Sequence, residues 1–366
     1  SLTAREATKA IAKGVISVLP NVIIEEIPVA DGGEGTMDSL VFSTKGQFKD
    51  VPAIDPIDRE IIAQYGILGD KKIAVIEMAS ASGLILLKKN ELNPLLTTTY
   101  GTGQLIQQAL DEGFRNLIIC IGGSATNDCG AGMAQALGVL FQEKYGNEIQ
   151  EKMCGDLIGN VTNIDLSNLH PAIQECKIII ACDVSNPLLG EEGCAMVYSP
   201  QKGATPEIVE KLEVNMTSFI NVAENTTNIS VREIPGAGAA GGLGAGLMLF
   251  LGGKLQSGID IVLKTCDFQK RIKNADLIIT GEGKIDDQTI HGKTISGIAR
   301  HAKLQKIPVI AFAGVVENVD NLKNLGISNL YSISSNKILI EKSIANASTL
   351  LQNKVESVIR KYYNKK

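Results

Sequence analysis

The sequence predicts an α/β protein in which one domain is inserted into another, and two observations carry that reading. From about residue 100 onward, apolar strand-like runs alternate with amphipathic helical stretches, the rhythm of parallel βα units. Near 85–100, and again near 255–270, the style of the patterning changes, as it would where a second domain enters and leaves the first.

Residues 3–19 carry helical periodicity, with Ala7, Ala10, Ile11, Val15, Val18 and Leu19 on one face and Thr3 and Glu6 placed as a capping box. Val22 to Val29 reads as a strand, followed by a glycine turn at 31–35 and a short helix near 36–44. Stretches 61–68 and 72–78 read as antiparallel or mixed strands. A helix at 103–112, a strand at 117–121, a loop from Gly122 to Gly132 and a helix into 140 come next. Further strands are expected at 177–182 and 228–234, separated by a helix near 206–223. The last part gives strand 276–280, helix 292–303, strands 308–313 and 329–333, and helix 340–362, read as flavodoxin-like units.

Composition narrows the function. A net charge of −5 offers no basic block for a phosphate backbone, and the absence of Trp with 4% aromatics argues against base- or sugar-stacking surfaces. Seven cysteines form no CxxC pair and several lie inside apolar runs, which suits core thiols in a reducing compartment. No apolar run approaches the length of a membrane span. The expectation is a cytoplasmic protein acting on small molecules, its oligomeric state left open, a homo-oligomer included.

The 37 glycines cluster at the ends of apolar runs, where a backbone can approach a ligand closely. Gly281 to Asp287, with His291 to Thr294 behind it, follows a short apolar strand and places glycines, Lys284 and two aspartates before a helix. Phosphoryl transfer, which is mostly positioning and charge neutralisation, uses such a set; a solvated turn is the alternative. Asp31-Gly32-Gly33-Glu34-Gly35-Thr36 and Gly122-Gly123-Ser124-Ala125-Thr126-Asn127-Asp128 share that strand-loop-helix pattern, each with the alternative of a helix cap. Asp183 ends an Ile-rich strand, where an acid is costly unless solvated or paired. Glu77 to Gly83 and Thr97 to Gly103 add hydroxyls.

Two apparent fingerprints are declined. Gly236 to Gly241 matches GxGxxG, but Pro235 precedes it and the run that follows is too glycine-rich for a dinucleotide-binding helix. Gly292-Lys293-Thr294 lacks the earlier glycine of a Walker A loop, since Asp287 stands there. The three histidines form no cluster, so triads and metal-hydroxide chemistry are not indicated.

Taken in order, segments 28–36, 76–83, 99–106, 122–128, 182–188, 236–245 and 280–289 together resemble the bacterial glycerate kinase family. The resemblance implies ATP- and Mg²⁺-dependent phosphorylation of D-glycerate, with 2-phosphoglycerate the more expected product over 3-phosphoglycerate. It also implies a flavodoxin-like domain, set here at 1–88 plus 268–366, carrying an inserted mixed-sheet α/β domain at 89–267, with the active site in the cleft between them. Members begin with a short strand and an Asp-Ser-Phe-Lys-Gly loop before the Ser-Leu-Thr that opens this sequence, and Cys129 stands where glycine is common.

On that basis Lys284 is the expected cation, and Asp183 or Asp31 the carboxylate that accepts the hydroxyl proton. Asp286 and Glu282 would hold Mg²⁺. Gly122, Gly123, Ser124 and Thr126 would cradle nucleotide phosphates. Ser80, Ser82 and Thr102 would face substrate, with Gly32, Gly33 and Gly283 allowing close approach. Two alternatives remain: a kinase of another small hydroxy acid, and a non-catalytic binder of a small anion.

Overall fold

In the computed structural model, residues 2–285, 294–317, 326–334 and 345–364 are described. The chain divides into two compact units, one of residues 1–31 with 259–366 and one of residues 32–258. The division lies near 31 and 258 rather than at the expected 88 and 267: strands within residues 47–77 share one sheet with those at 116–120, 177–181 and 254–256, so hydrogen bonding holds them together across the expected break at 88.

The chain opens on α1 (Ala4–Ile16). The predicted capping box is present, Glu6 N donating to Thr3 Oγ1 at 3.2 Å and Thr3 N to the Glu6 carboxylate at 2.8 Å. Residues 22–29 join no ladder, contrary to the expected strand. Pro28 brings no N–H to a ladder, and Ile27 and Val29 contribute by packing against the apolar cluster that includes Ile259 and Leu263.

The larger unit begins with α2 (Thr36–Thr44) and the strands β1 (Gln47–Ile54), β2 (Glu60–Ile67) and β3 (Ile73–Glu77). Short α3 (Ala79–Ser82), α4 (Tyr100–Asp111), β4 (Asn116–Cys120) and α5 (Ala131–Ala136) follow. After the small antiparallel pair β5 (Leu140–Gln142) and β6 (Asn163–Asp165) come β7 (Lys177–Ala181), α6 (Cys194–Tyr198), α7 (Pro206–Thr227), α8 (Leu243–Leu251) and β8 (Lys254–Gln256). The main sheet has the order β1-β2-β3-β4-β7-β8, antiparallel over its first two pairings and parallel over the rest. β4 reads Asn-Leu-Ile-Ile-Cys, buried from its second residue on, as a strand covered on both faces must be. The expected strand at 228–234 is a turn instead. Glu224 Oε1 accepts the N–H groups of Val231 (2.7 Å) and Arg232 (3.2 Å), taking donors a ladder would need.

In the other unit, α9 (Gly258–Thr265) and α10 (Phe268–Arg271) lead to β9 (Ile278–Ile285), α11 (Thr294–Leu304), β10 (Val309–Val316), β11 (Ile327–Ser332) and α12 (Ala347–Tyr363). The parallel sheet has the order β11-β10-β9. Ile310 and Phe312 pack toward Ala10, Val355 and Ile359, while Ala311 and Ala313 meet Ile295 and Ala299, so helices cover both faces. α1 and α12 lie so close that a Cβ on Gly14 would stand 2.6 Å from Gln352 O.

Among the described residues, no helix is long and apolar enough to cross a membrane.

Candidate active site

Register in the larger unit brings four strand ends into one row. Glu77 pairs with Cys120, Cys120 with Ala181, and Ala181 with Gln256. The segments leaving that row include loops singled out in the sequence, and they lie at the carboxyl end of parallel strands, where α/β proteins place ligands.

The glycine turn 32–35 lies across the row. Gly32 has φ +93°, and a Cβ there would meet Ala181 O at 3.3 Å and Gly258 Cα at 3.2 Å. A Cβ on Gly122, just past β4, would stand 2.6 Å from Gly33 Cα. Glu77, at the end of β3 and only 5% exposed, accepts Gly35 N at 2.9 Å and Met37 N at 3.1 Å. Burial raises the Glu77 carboxyl pKa, and those two N–H bonds oppose the rise. Gly32 N donates to Thr36 Oγ1 at 3.0 Å. Gly32 and Gly33 therefore serve close approach, Gly35 takes φ +86° with open space around it, and an internal carboxylate caps the N-terminus of α2.

The loop after β4 is held from within. Asp128 is fully buried and accepts Thr99 N (2.8 Å), Thr99 Oγ1 (2.7 Å), Gly130 N (3.1 Å) and Gly132 N (3.2 Å). Burial raises its pKa while these donors favour the charged form. Cys129 takes φ +52°, a left-handed conformation that glycine adopts most readily. Gly241, from the declined GxGxxG segment, packs against Thr126 O, where a Cβ would sit 1.8 Å away; that segment supports the loop. Lys202 Nζ, 1% exposed, donates to the same Thr126 carbonyl at 2.6 Å, and burial lowers its pKa to about 8.

The expected site residues fall into distinct settings. Gly122 and Gly123 are open to solvent to differing degrees, and Ser124 bridges to Gly83. Ser82 and Thr102 are buried and bond each other at 2.8 Å, so their hydroxyls face one another inside the fold; Ser80 is half-buried. Asp183 is exposed just past β7, with Oδ1 accepting Gly258 N at 2.9 Å. Asp31 is half-buried beside Gly32.

In the smaller unit, the stretch expected as a loop after residue 280 continues as strand. β9 stays paired with β10 as far as Lys284↔Val315 and Ile285↔Val316. Lys284 is an exposed strand residue whose ammonium lies 2.9 Å from Glu317. Glu282 Oε1 accepts Ile295 N at 3.2 Å, at the start of α11, and Gly283 is exposed. Asp286, with Asp287 and His291, lies outside the described residues. Among those described, no three His, Cys, Asp or Glu side chains gather as a metal site. Mg²⁺ in a kinase needs only one or two carboxylates, the rest being phosphate and water oxygens, and the hard oxygen donors of Glu282 suit it.

Three anchors escaped sequence reasoning. Glu77 stood in a quoted motif but only as a strand end, Asp128 as a simple helix cap, and Lys202 carried no signal, because a lysine after Pro-Gln looks like surface.

Comparison with known proteins fits this arrangement. The sequence model of the glycerate kinase family matches residues 1–363. The chain is 46% identical over 359 residues to the glycerate kinase of Halalkalibacterium halodurans, covering 98% of this chain and 94% of that protein. It is 44% identical over 334 residues to the glycerate 2-kinase of Escherichia coli K12, covering 91% and 87%. A crystal structure of a Salmonella typhimurium LT2 protein assigned as glycerate kinase 2 superposes with a TM-score of 0.88 at 40% identity, over 100% of this chain and 95% of that one. With family match, relatives and fold in agreement over nearly its whole length, the chain belongs to the glycerate kinase family and is a phosphotransferase.

Proposed function

We propose that this enzyme transfers the γ-phosphoryl group of ATP to the C2 hydroxyl of D-glycerate, forming 2-phosphoglycerate. The observation that carries the reading is the near full-length match to glycerate kinases, and the name of the Escherichia coli relative supports the 2-position.

Lys284 neutralises developing charge on the transferring group. Its pairing with Glu317 is half-exposed, and such a pair is worth about 1 kcal/mol or less, so a phosphate oxygen competes for the ammonium. Asp183, oriented by the Gly258 N–H, accepts the hydroxyl proton as the C2 oxygen attacks in line; Asp31 is the other carboxylate suited to that role. Glu282 and Asp286 would hold Mg²⁺, which when bound neutralises phosphate charge. The loop Gly122 to Thr126 cradles nucleotide phosphates.

The test is phosphorus NMR of the product from D-glycerate, ATP and Mg²⁺, with a panel of hydroxy acids run alongside. A 3-phosphoglycerate resonance overturns the position, a better substrate in the panel overturns the acceptor, and binding without ADP release reduces the protein to an anion binder.

A further inference from the structure

The loop after β4 carries two successive carbonyls turned toward interior donors. Ala125 O accepts the buried Thr97 hydroxyl at 2.8 Å, and Thr126 O accepts Lys202 Nζ at 2.6 Å. In a trans peptide the C=O and the following N–H point in opposite directions. Fixing these carbonyls therefore turns the N–H groups of Thr126 and Asn127 to the other side of the backbone. Thr126 Oγ1 and Asn127 Oδ1 are buried and have no hydrogen-bond partner among the described residues. Buried polar atoms are rarely left unmatched, so the pair marks where a ligand or ordered water completes the loop.

Lys202 is well placed to act as a clamp. It ends a turn at Pro200–Lys202 and is followed by Gly203 at φ +94°, packed on Leu92 O, which fixes the start of its side chain. The charged and titratable groups facing its ammonium are Asp128 on the same loop and Cys194 on α6. A buried ammonium is costly, and here it is retained behind a loop rather than at a surface.

We propose that Lys202 is a positioning residue of the phosphate-cradle loop: it holds the Thr126–Asn127 peptide with its carbonyl inward and so sets the direction of the loop's N–H donors. The inference rests on the reading that this loop binds nucleotide phosphates.

Lys202→Met, close in length and without charge, tests it, with Lys202→Arg as the conservative variant and ATP and glycerate varied separately. Loss of one charge-assisted bond at the loop should raise KM for ATP about 10-fold or more while kcat and KM for glycerate move far less, and Arg should restore part of the loss. A folded Met variant with all three constants unchanged overturns the role of Lys202. A rise in KM for glycerate alone keeps Lys202 as the clamp and overturns the nucleotide assignment of the loop. Should the Met variant fail to fold, ¹⁵N-lysine NMR of the wild type decides, with the Arg variant assigning the Nζ signal. A shift on adding Mg²⁺ and a non-hydrolysable ATP analogue supports the clamp, and an unmoved signal at saturation overturns it.

Discussion

The loops at the carboxyl end of the larger unit's sheet and the end of β9 in the smaller unit are built from the same residue types and use them differently. Around 32–35 and 121–130, glycines sit beside carboxylates that are buried and occupied by backbone N–H groups. Along 281–285, the charges of Lys284 and Glu317 are half in solvent and meet each other across a strand end. Glycine with an acid is thus an ambiguous pattern. Burial decides whether the acid builds the scaffold or remains available for chemistry.

The comparison breaks most sharply at Asp128. Asp128→Ala leaves three buried N–H groups and a hydroxyl without their acceptor and should cost about 3 kcal/mol or more in urea unfolding. A loss near zero would mean the loop is not held from within. Lys284→Ala should do the reverse, lowering kcat/KM by about 10²–10³-fold, or about 2.7–4 kcal/mol of transition-state stabilisation, with little change in unfolding. Retained activity would remove Lys284 from the chemistry.

Gly122→Ala sharpens the scaffold side. Its Cβ would stand 2.6 Å from Gly33 Cα, so backbone must shift, at about 1–3 kcal/mol with some loss of activity. Smallest is Glu77→Gln, which keeps one acceptor of two and should cost about 1–2 kcal/mol in stability. Its pH dependence carries the information. Because the folded pKa of Glu77 is raised above 4.5, the native state holds this proton to higher pH than the unfolded chain. The wild type's advantage over the Gln variant should therefore be fully present below pH 4.5 and shrink as pH rises from there through the raised value. An advantage that instead grows with pH in urea melts would show the N–H bonds outweighing burial.

Much of the fold was legible because its signals are local. The Thr3 and Glu6 capping box, the exact span of α2 and the Ile-rich β7 all follow from short-range pattern. What escaped was set by distant partners. Residues 228–234 look like a strand until Glu224 takes their N–H groups, and 281–285 look like a loop until β10 pairs with them. The same divide runs through the candidate site. Gly122 and Asp183 were visible as residues at strand ends and Gly32 as part of a glycine turn, whereas Lys202 becomes meaningful only through Thr126, far away in sequence.

The packing of α1 on α12 has a consequence for how the protein is made. The larger unit is one continuous stretch with its own core, while the smaller draws its helical layer from both extremes of the chain. During synthesis α1 must therefore wait, with the apolar face that meets α12 uncovered, until α12 leaves the ribosome. That wait spans more than three hundred residues of translation, an interval in which a chaperone could bind the uncovered face of α1.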